Sequence, residues 1–212
     1  MMAGPEDEVY KIALCGKMGV GKTSIYTRLS TDEFPEEEQS LHHIDQCFIP
    51  LVCICNKKLK IHLWDTLGME EYESLTRNHY SNSKVVLVVY SLDLPDSLAQ
   101  VKECTQSAQV NAPAAKIVLV ANKMDLPNYR RLETDLRVKE MFPKTEYEHQ
   151  FRISAKTGEG LNELKCFICK CLHKLSRHDS SRSNHNVNSD MQNISLSGTC
   201  VQRHHRQCCV RH

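Results

Sequence analysis

The chain has 212 residues, 41% of them hydrophobic and 25% charged, with a formal net charge of +1. That suffices for one domain of about 165–175 residues plus a tail, and the near-neutral balance gives no electrostatic footprint for nucleic acid. The longest apolar run, Val85 to Tyr90, is far too short to span a bilayer, and the polar, partly acidic residues 1–8 are expected to be a flexible extension rather than a secretory leader.

In chain order, a strand is expected near Tyr10–Cys15 and a helix near Lys22–Leu29. Between them lies Gly16-Lys17-Met18-Gly19-Val20-Gly21-Lys22-Thr23, a G-x-x-x-x-G-K-[ST] loop in the strand-to-helix context that such a loop requires. The glycines let backbone N–H groups, with Val20 and Ser24, curl around a polyphosphate. Lys22 reaches the outer phosphates, the Thr23 hydroxyl can ligate Mg²⁺, and the helix adds its positive dipole end.

Strands near Cys47–Cys55 and Lys58–Trp64 follow, with a hairpin turn at Asn56-Lys57 that predicts one antiparallel edge strand on an otherwise parallel sheet. The second of them ends in Asp65, whose carboxylate can hold Mg²⁺ through water. Gly68 then permits close backbone approach to a terminal phosphate. Helices near Glu70–His79, Asp96–Val110, Glu133–Met141 and Gly160–Leu175 alternate with strands near Val85–Tyr90, Lys116–Ala121 and His149–Ile153. After the fifth strand comes Asn122-Lys123-Met124-Asp125. A carboxylate at Asp125 can accept two hydrogen bonds from guanine that adenine does not offer, and the aliphatic stem of Lys123 can cover the base. Alternatively, Asp125 caps a helix. After the sixth strand, Ser154-Ala155-Lys156 can offer a backbone N–H to the guanine oxygen.

The four pieces, in this order, resemble a Ras-superfamily small GTPase from about Val9 to Leu175. Lys60-Ile61-His62-Leu63-Trp64-Asp65-Thr66, Glu71 to Tyr80, and Val88-Val89-Tyr90-Ser91-Leu92-Asp93 are most similar to the Rab branch. The resemblance implies a P-loop GTPase fold of class α/β, with a six-stranded, mostly parallel sheet, one antiparallel edge strand and five helices. It implies GTP/GDP and Mg²⁺ as cofactors and a domain over residues 9–176. Phe34 falls where the family sets an aromatic ring against the guanine face. The implied partners are a guanine nucleotide exchange factor, effector proteins, a GTPase-activating protein, a prenylation escort and a GDP-dissociation inhibitor.

Residues 177–212 change character, rich in Ser, Asn, His and Arg, and are expected to be a disordered tail. From Lys174 onward six basic residues against two acidic ones leave +4. The tail ends in Cys208-Cys209-Val210-Arg211-His212, which resembles the double prenylation site of Rab proteins better than a C-a-a-X box. This implies a place on the cytoplasmic face of an intracellular or plasma membrane, with a cytosolic pool. The other cysteines are scattered. Cys15, Cys47, Cys53 and Cys55 fall on strands, and Cys166, Cys169 and Cys171 on the last helix. There the stripe Leu161, Leu164, Phe167, Ile168, Cys171, Leu172 and Leu175 explains Cys171 as core rather than as a zinc ligand.

Four positions depart from the family. Met69 stands where a glutamine orients the attacking water, next to Leu67 where alanine is usual. Met18 puts a long side chain into the phosphate loop. The switch threonine that binds Mg²⁺ in the GTP state counts back to His42, in Ser40-Leu41-His42-His43, and imidazole suits zinc better than Mg²⁺. The resemblance thus implies a Rab-like switch in membrane traffic with weak hydrolysis. The alternatives are a hydrolysis-deficient, constitutively loaded scaffold and a Ras-like signalling GTPase. Single-turnover hydrolysis is expected to be slower than in a glutamine-bearing Rab by on the order of 10- to 100-fold, because a thioether cannot orient water for in-line attack. Met69→Gln is expected to recover part of that rate, and an unmodified protein already as fast as ordinary Rab proteins would overturn the expectation.

Overall fold

The computed structural model describes residues 9–34, 46–52, 58–65, 73–126, 137–138, 140–142 and 147–182. The elements are β1 (Val9–Cys15), α1 (Lys22–Thr31), β2 (Gln46–Val52), β3 (Lys58–Trp64), α2 (Glu73–Tyr80), β4 (Val85–Ser91), α3 (Ser97–Asn111), β5 (Lys116–Asn122), β6 (His149–Arg152) and α4 (Leu161–Arg182). The strands form one sheet in the order β2-β3-β1-β4-β5-β6. Every neighbouring pair is parallel except β2 with β3, which run antiparallel with Gln46 opposite Trp64 and Val52 opposite Lys58. The expected mixed sheet with one antiparallel edge strand is thus present. Helical backbone at 137–138 and 140–141 falls within the helix expected at Glu133–Met141. The expected hairpin turn at Asn56-Lys57, and Cys53 and Cys55, lie outside the described residues.

The alternation along β4 shows how the core is divided. All seven of its residues are buried. Val85, Leu87 and Val89 join one apolar cluster with Ile25 and Leu29 of α1 and Leu164, Ile168 and Leu172 of α4. Val86, Val88 and Tyr90 join a second cluster with Leu98, Val101 and Ala108 of α3. A strand covered on both faces carries a continuous apolar run, which is why Val85–Tyr90 shows no period. Burying each such side chain contributes about 1.5–3 kcal/mol.

α4 runs to Arg182, seven residues past the expected end at Leu175. The apolar stripe stops near Leu175, but residues 176–182 hold no Pro or Gly to terminate the backbone, so the helix continues past it. Its buried cysteine is Cys169, while Cys171 is only half-buried. The stripe is therefore one position wider than the simple period suggested.

The sheet places its working ends together. β1 has β3 on one side and β4 on the other, so connections leave it in opposite directions and open a crevice at the carboxyl ends of the parallel strands. The carboxyl ends of β1, β3, β5 and β6 all lie there.

Candidate functional site

The phosphate loop begins with a close approach. Gly16 has φ +139°, and a Cβ there would stand 2.0 Å from the Val89 carbonyl oxygen, so only glycine lets the loop turn over the end of β4. Gly21 occupies the N-cap position of α1 with φ 90°. A Cβ on it would meet Asn122 Nδ2 at 2.4 Å. Lys22 is 5% exposed, and its Nζ donates to the carbonyls of Gly16 at 2.7 Å and Lys17 at 3.0 Å. The ammonium is thus drawn back across the loop towards its start. Thr23 and Ser24 follow in the first turn of α1, and Met18 stands out of the loop at 76% exposed.

Asp65 follows β3 and is 5% exposed. Ala13 pairs with Trp64 in parallel register, which brings Asp65 alongside the start of the phosphate loop. A hydroxyl and a carboxylate form a hard oxygen set, and this fits Mg²⁺, which keeps several of its own waters. Phe34 lies exposed just past the C-terminal end of α1.

The base-side loops are joined to the phosphate loop through one side chain. Asn122 is 2% exposed. Its Nδ2 donates to the Val20 carbonyl at 2.9 Å, and its Oδ1 accepts the Ala155 N–H at 3.1 Å. Ser154 Oγ donates to Asp125 Oδ1 at 2.6 Å, and the Met124 N–H donates to the Ile153 carbonyl at 3.0 Å. From α1, Arg28 Nη2 donates to the Lys156 carbonyl at 3.1 Å. The sequence-predicted residues of the phosphate loop, 122–125 and 154–156 are therefore one connected assembly. The Asp125 carboxylate is held by Ser154 across the two loops. Gly68 and Met69, and Leu67, Ser40, His42 and His43 with them, lie outside the described residues, as do Cys208 and Cys209.

Sequence reasoning missed Arg28, Ser91 and Asp93. Lys123 adopts φ 64°, and its Nζ pairs with Asp93 Oδ2 at 2.9 Å. Ser91 Oγ donates to Asp93 Oδ1. Burial alone would raise the Asp93 carboxyl; the Ser91 hydroxyl and the Lys123 ammonium outweigh it and hold it below the usual carboxylate range. An acid just past the end of the strand beside β5 was the available signal.

The flank of the site is built around α2. Lys11 Nζ donates to the Asn78 carbonyl at 2.8 Å and stands 3.6 Å from the centroid of the Trp64 ring. Burial pushes the Lys11 ammonium down to about 8, while the ring face, which attracts a cation, opposes that shift. His79 is buried and its Nε2 lies 2.8 Å from the Leu14 carbonyl. Both contacts fasten the last turn of α2 to β1.

The family model described as the Ras family matches residues 11–174. The chain belongs to the Ras family. Among curated proteins it is 32% identical over 168 residues to the putative ras-related protein Rab-5B of Dictyostelium discoideum, covering 78% of this chain and 76% of that one. It is 33% identical over 165 residues to the GTP-binding protein ypt5 of Schizosaccharomyces pombe, covering 76% and 77%. These relatives make it a Rab-like small GTPase. Proteins of this family bind GTP and GDP, typically with Mg²⁺, and work with exchange factors, activating proteins, effectors and dissociation inhibitors. No helix among the described residues is long and apolar enough to cross a membrane.

The Asn122 contacts predict a stability effect as well as a binding one. Asn122→Ala leaves the Val20 carbonyl and the Ala155 N–H without their partner, at about 1–3 kcal/mol for each buried group. For a domain of this size the two groups together, about 2–6 kcal/mol, correspond to a fall in thermal midpoint of about 4–24 °C. Circular dichroism melting of the full chain checks it, and an unchanged midpoint would show the two loops to be independently stable.

Proposed function

We propose that this chain is a guanine-nucleotide-dependent switch of the Rab type acting in intracellular vesicle and membrane traffic, with slow intrinsic GTP hydrolysis. The observation that carries the reading is the Asn122 assembly. One buried amide joins the phosphate loop to the loop of Ala155, and Ser154 presents Asp125 beside it. Lys22 and the loop N–H groups would then bind phosphates, and Thr23, with Asp65 through water, would hold Mg²⁺, which would supply neutralising positive charge. Asp125 accepts from the guanine edge. The Ala155 N–H is engaged by Asn122, so the donor to the guanine oxygen falls to the neighbouring Lys156 N–H. Phe34 and the Lys123 stem cover the two faces of the base. The traffic role is supported by the names of the two relatives, Rab-5B and ypt5.

A second reading, a constitutively loaded scaffold, is favoured by Met69 and by the 76% exposure of Met18 at the phosphate loop. Both leave nucleotide binding intact while removing or crowding the hydrolytic water. The two readings separate on the nucleotide that co-purifies: GDP for a turning cycle, GTP for a stalled one.

Base choice tests the reading common to both. Asp125→Asn is expected to shift preference from guanosine to xanthosine nucleotides by at least about 100-fold, because the 2-oxo group replaces the amino donor that the carboxylate accepts. Competition of GDP, XDP and ADP against a fluorescent nucleotide measures it. Wild-type protein that binds ADP as well as GDP would end the guanine assignment.

Membrane attachment is proposed through Cys208 and Cys209. Two lipid chains anchor stably where one gives only marginal binding, and Arg203, Arg206 and Arg211 would each add about 1 kcal/mol of attraction to anionic lipid close to the surface. Cys208→Ser with Cys209→Ser is expected to move the protein into the cytosol on fractionation, with partial association for either change alone. An unmodified C-terminal peptide by mass spectrometry, with equal solubility of wild type and double variant, would remove the membrane assignment.

A further inference from the structure

The Asp93 carboxylate links two strand ends at the base side of the site. Ser91 is opposite Asn122 in the parallel register of β4 and β5, so the residues just after each strand emerge side by side. Asp93 bridges them, accepting from Ser91 Oγ through Oδ1 and from Lys123 Nζ through Oδ2. Ser91 itself cannot drift. It is fully buried, and its N–H donates to Ser97 Oγ at 3.1 Å while Ser97 Oγ donates to the Leu94 carbonyl at 2.6 Å. The carboxylate is therefore anchored on the sheet side and presents its second oxygen to a lysine.

Lys123 needs such an anchor. Its backbone is left-handed at φ 64°, a conformation uncommon for a residue with a Cβ. Its stem has four carbons and the full rotamer freedom that goes with them. Half-buried and fastened only at Cα, such a stem would sweep several positions.

We propose that Asp93 is a positioning residue for Lys123: by holding the ammonium it stretches the aliphatic stem into one wall of the purine slot. This deepens the guanine-nucleotide reading and rests on it. A structural alternative is that Asp93 caps α3. The N-cap position of α3 is instead Asp96, and both oxygens of Asp93 are committed to Ser91 and Lys123. The two side chains of the pair are about one-third exposed, 33% for Asp93 and 34% for Lys123, so solvent screens the attraction and the effect is moderate.

The experiment is a double-variant cycle on the release of N-methylanthraniloyl-GDP from the full chain in Mg²⁺. Asp93→Asn keeps the side-chain shape and loses the charge. Lys123→Met keeps an unbranched stem and loses the ammonium. Each is expected to speed release by about 3- to 10-fold, and the double variant is expected to release no faster than Lys123→Met alone. Thermal midpoints within about 2 °C of wild type are expected for Asp93→Asn, since a partly exposed pair contributes little to stability. Release rates that multiply in the double variant would show that Asp93 acts by a route other than Lys123 and overturn the proposal. So would an unchanged rate for Asp93→Asn in a protein that retains GDP normally. A wild-type protein that holds no GDP would instead fail the guanine-nucleotide reading first, and this proposal with it.

Discussion

One buried amide makes the site a unit. Asn122 lies at the end of β5, where the two halves of the sheet meet the loops, and it uses both ends of its side chain on backbone groups of other loops. Such a group must be satisfied, because in a dry interior an amide without partners costs more than the bonds it would make. The geometry of the phosphate loop is therefore not independent of the geometry of the base loops. Gly21 shows the same constraint from the other side: Asn122 packs so closely that nothing larger than hydrogen fits on that Cα. Arg28 adds a second tie through α1, from the helix that begins at the phosphate loop to the Lys156 carbonyl.

Much of this was legible in the sequence because the chemistry is local. A polyphosphate loop needs glycines and a lysine at fixed spacing, and residues 16–23 supply them within one turn of chain. The six strands were legible for a similar reason: β4 and β5 are unbroken apolar runs, and β3 alternates Leu59, Ile61 and Leu63 with polar neighbours. What escaped was pairing at a distance. Asp93 and Lys123 are thirty positions apart, and nothing in either segment announces that parallel strands β4 and β5 set them side by side. Cys169 was missed as core because α4 buries a wider face than a strict stripe. The extension of α4 to Arg182 was missed because composition reports the loss of a buried face, and a helix can outlast its buried face by several residues.

The α2 flank shows how polar contacts help to hold a helix next to the site. Lys11 and His79 each meet a backbone carbonyl, one on α2 and one on β1, and the Trp64 ring lies between them. Polar fastenings of this kind break one at a time, whereas an apolar face must separate as a whole. Their arrangement concentrates the adjustable contacts on the β3 side of the phosphate loop and leaves the base side, under Asn122, firmly joined.

The two edges of the sheet bear on how the molecule meets other chains. β2, at one edge, carries Pro50 in its middle, opposite Lys60, and a proline has no N–H to offer an incoming strand. β6, at the other, has only four residues, with exposed His149 and Arg152 at its ends. Neither border is a good template for strand addition, the usual route to fibrils and swapped dimers. Growth of the sheet from copy to copy is thereby discouraged on both sides, so copies of the chain can crowd at high local concentration without polymerising.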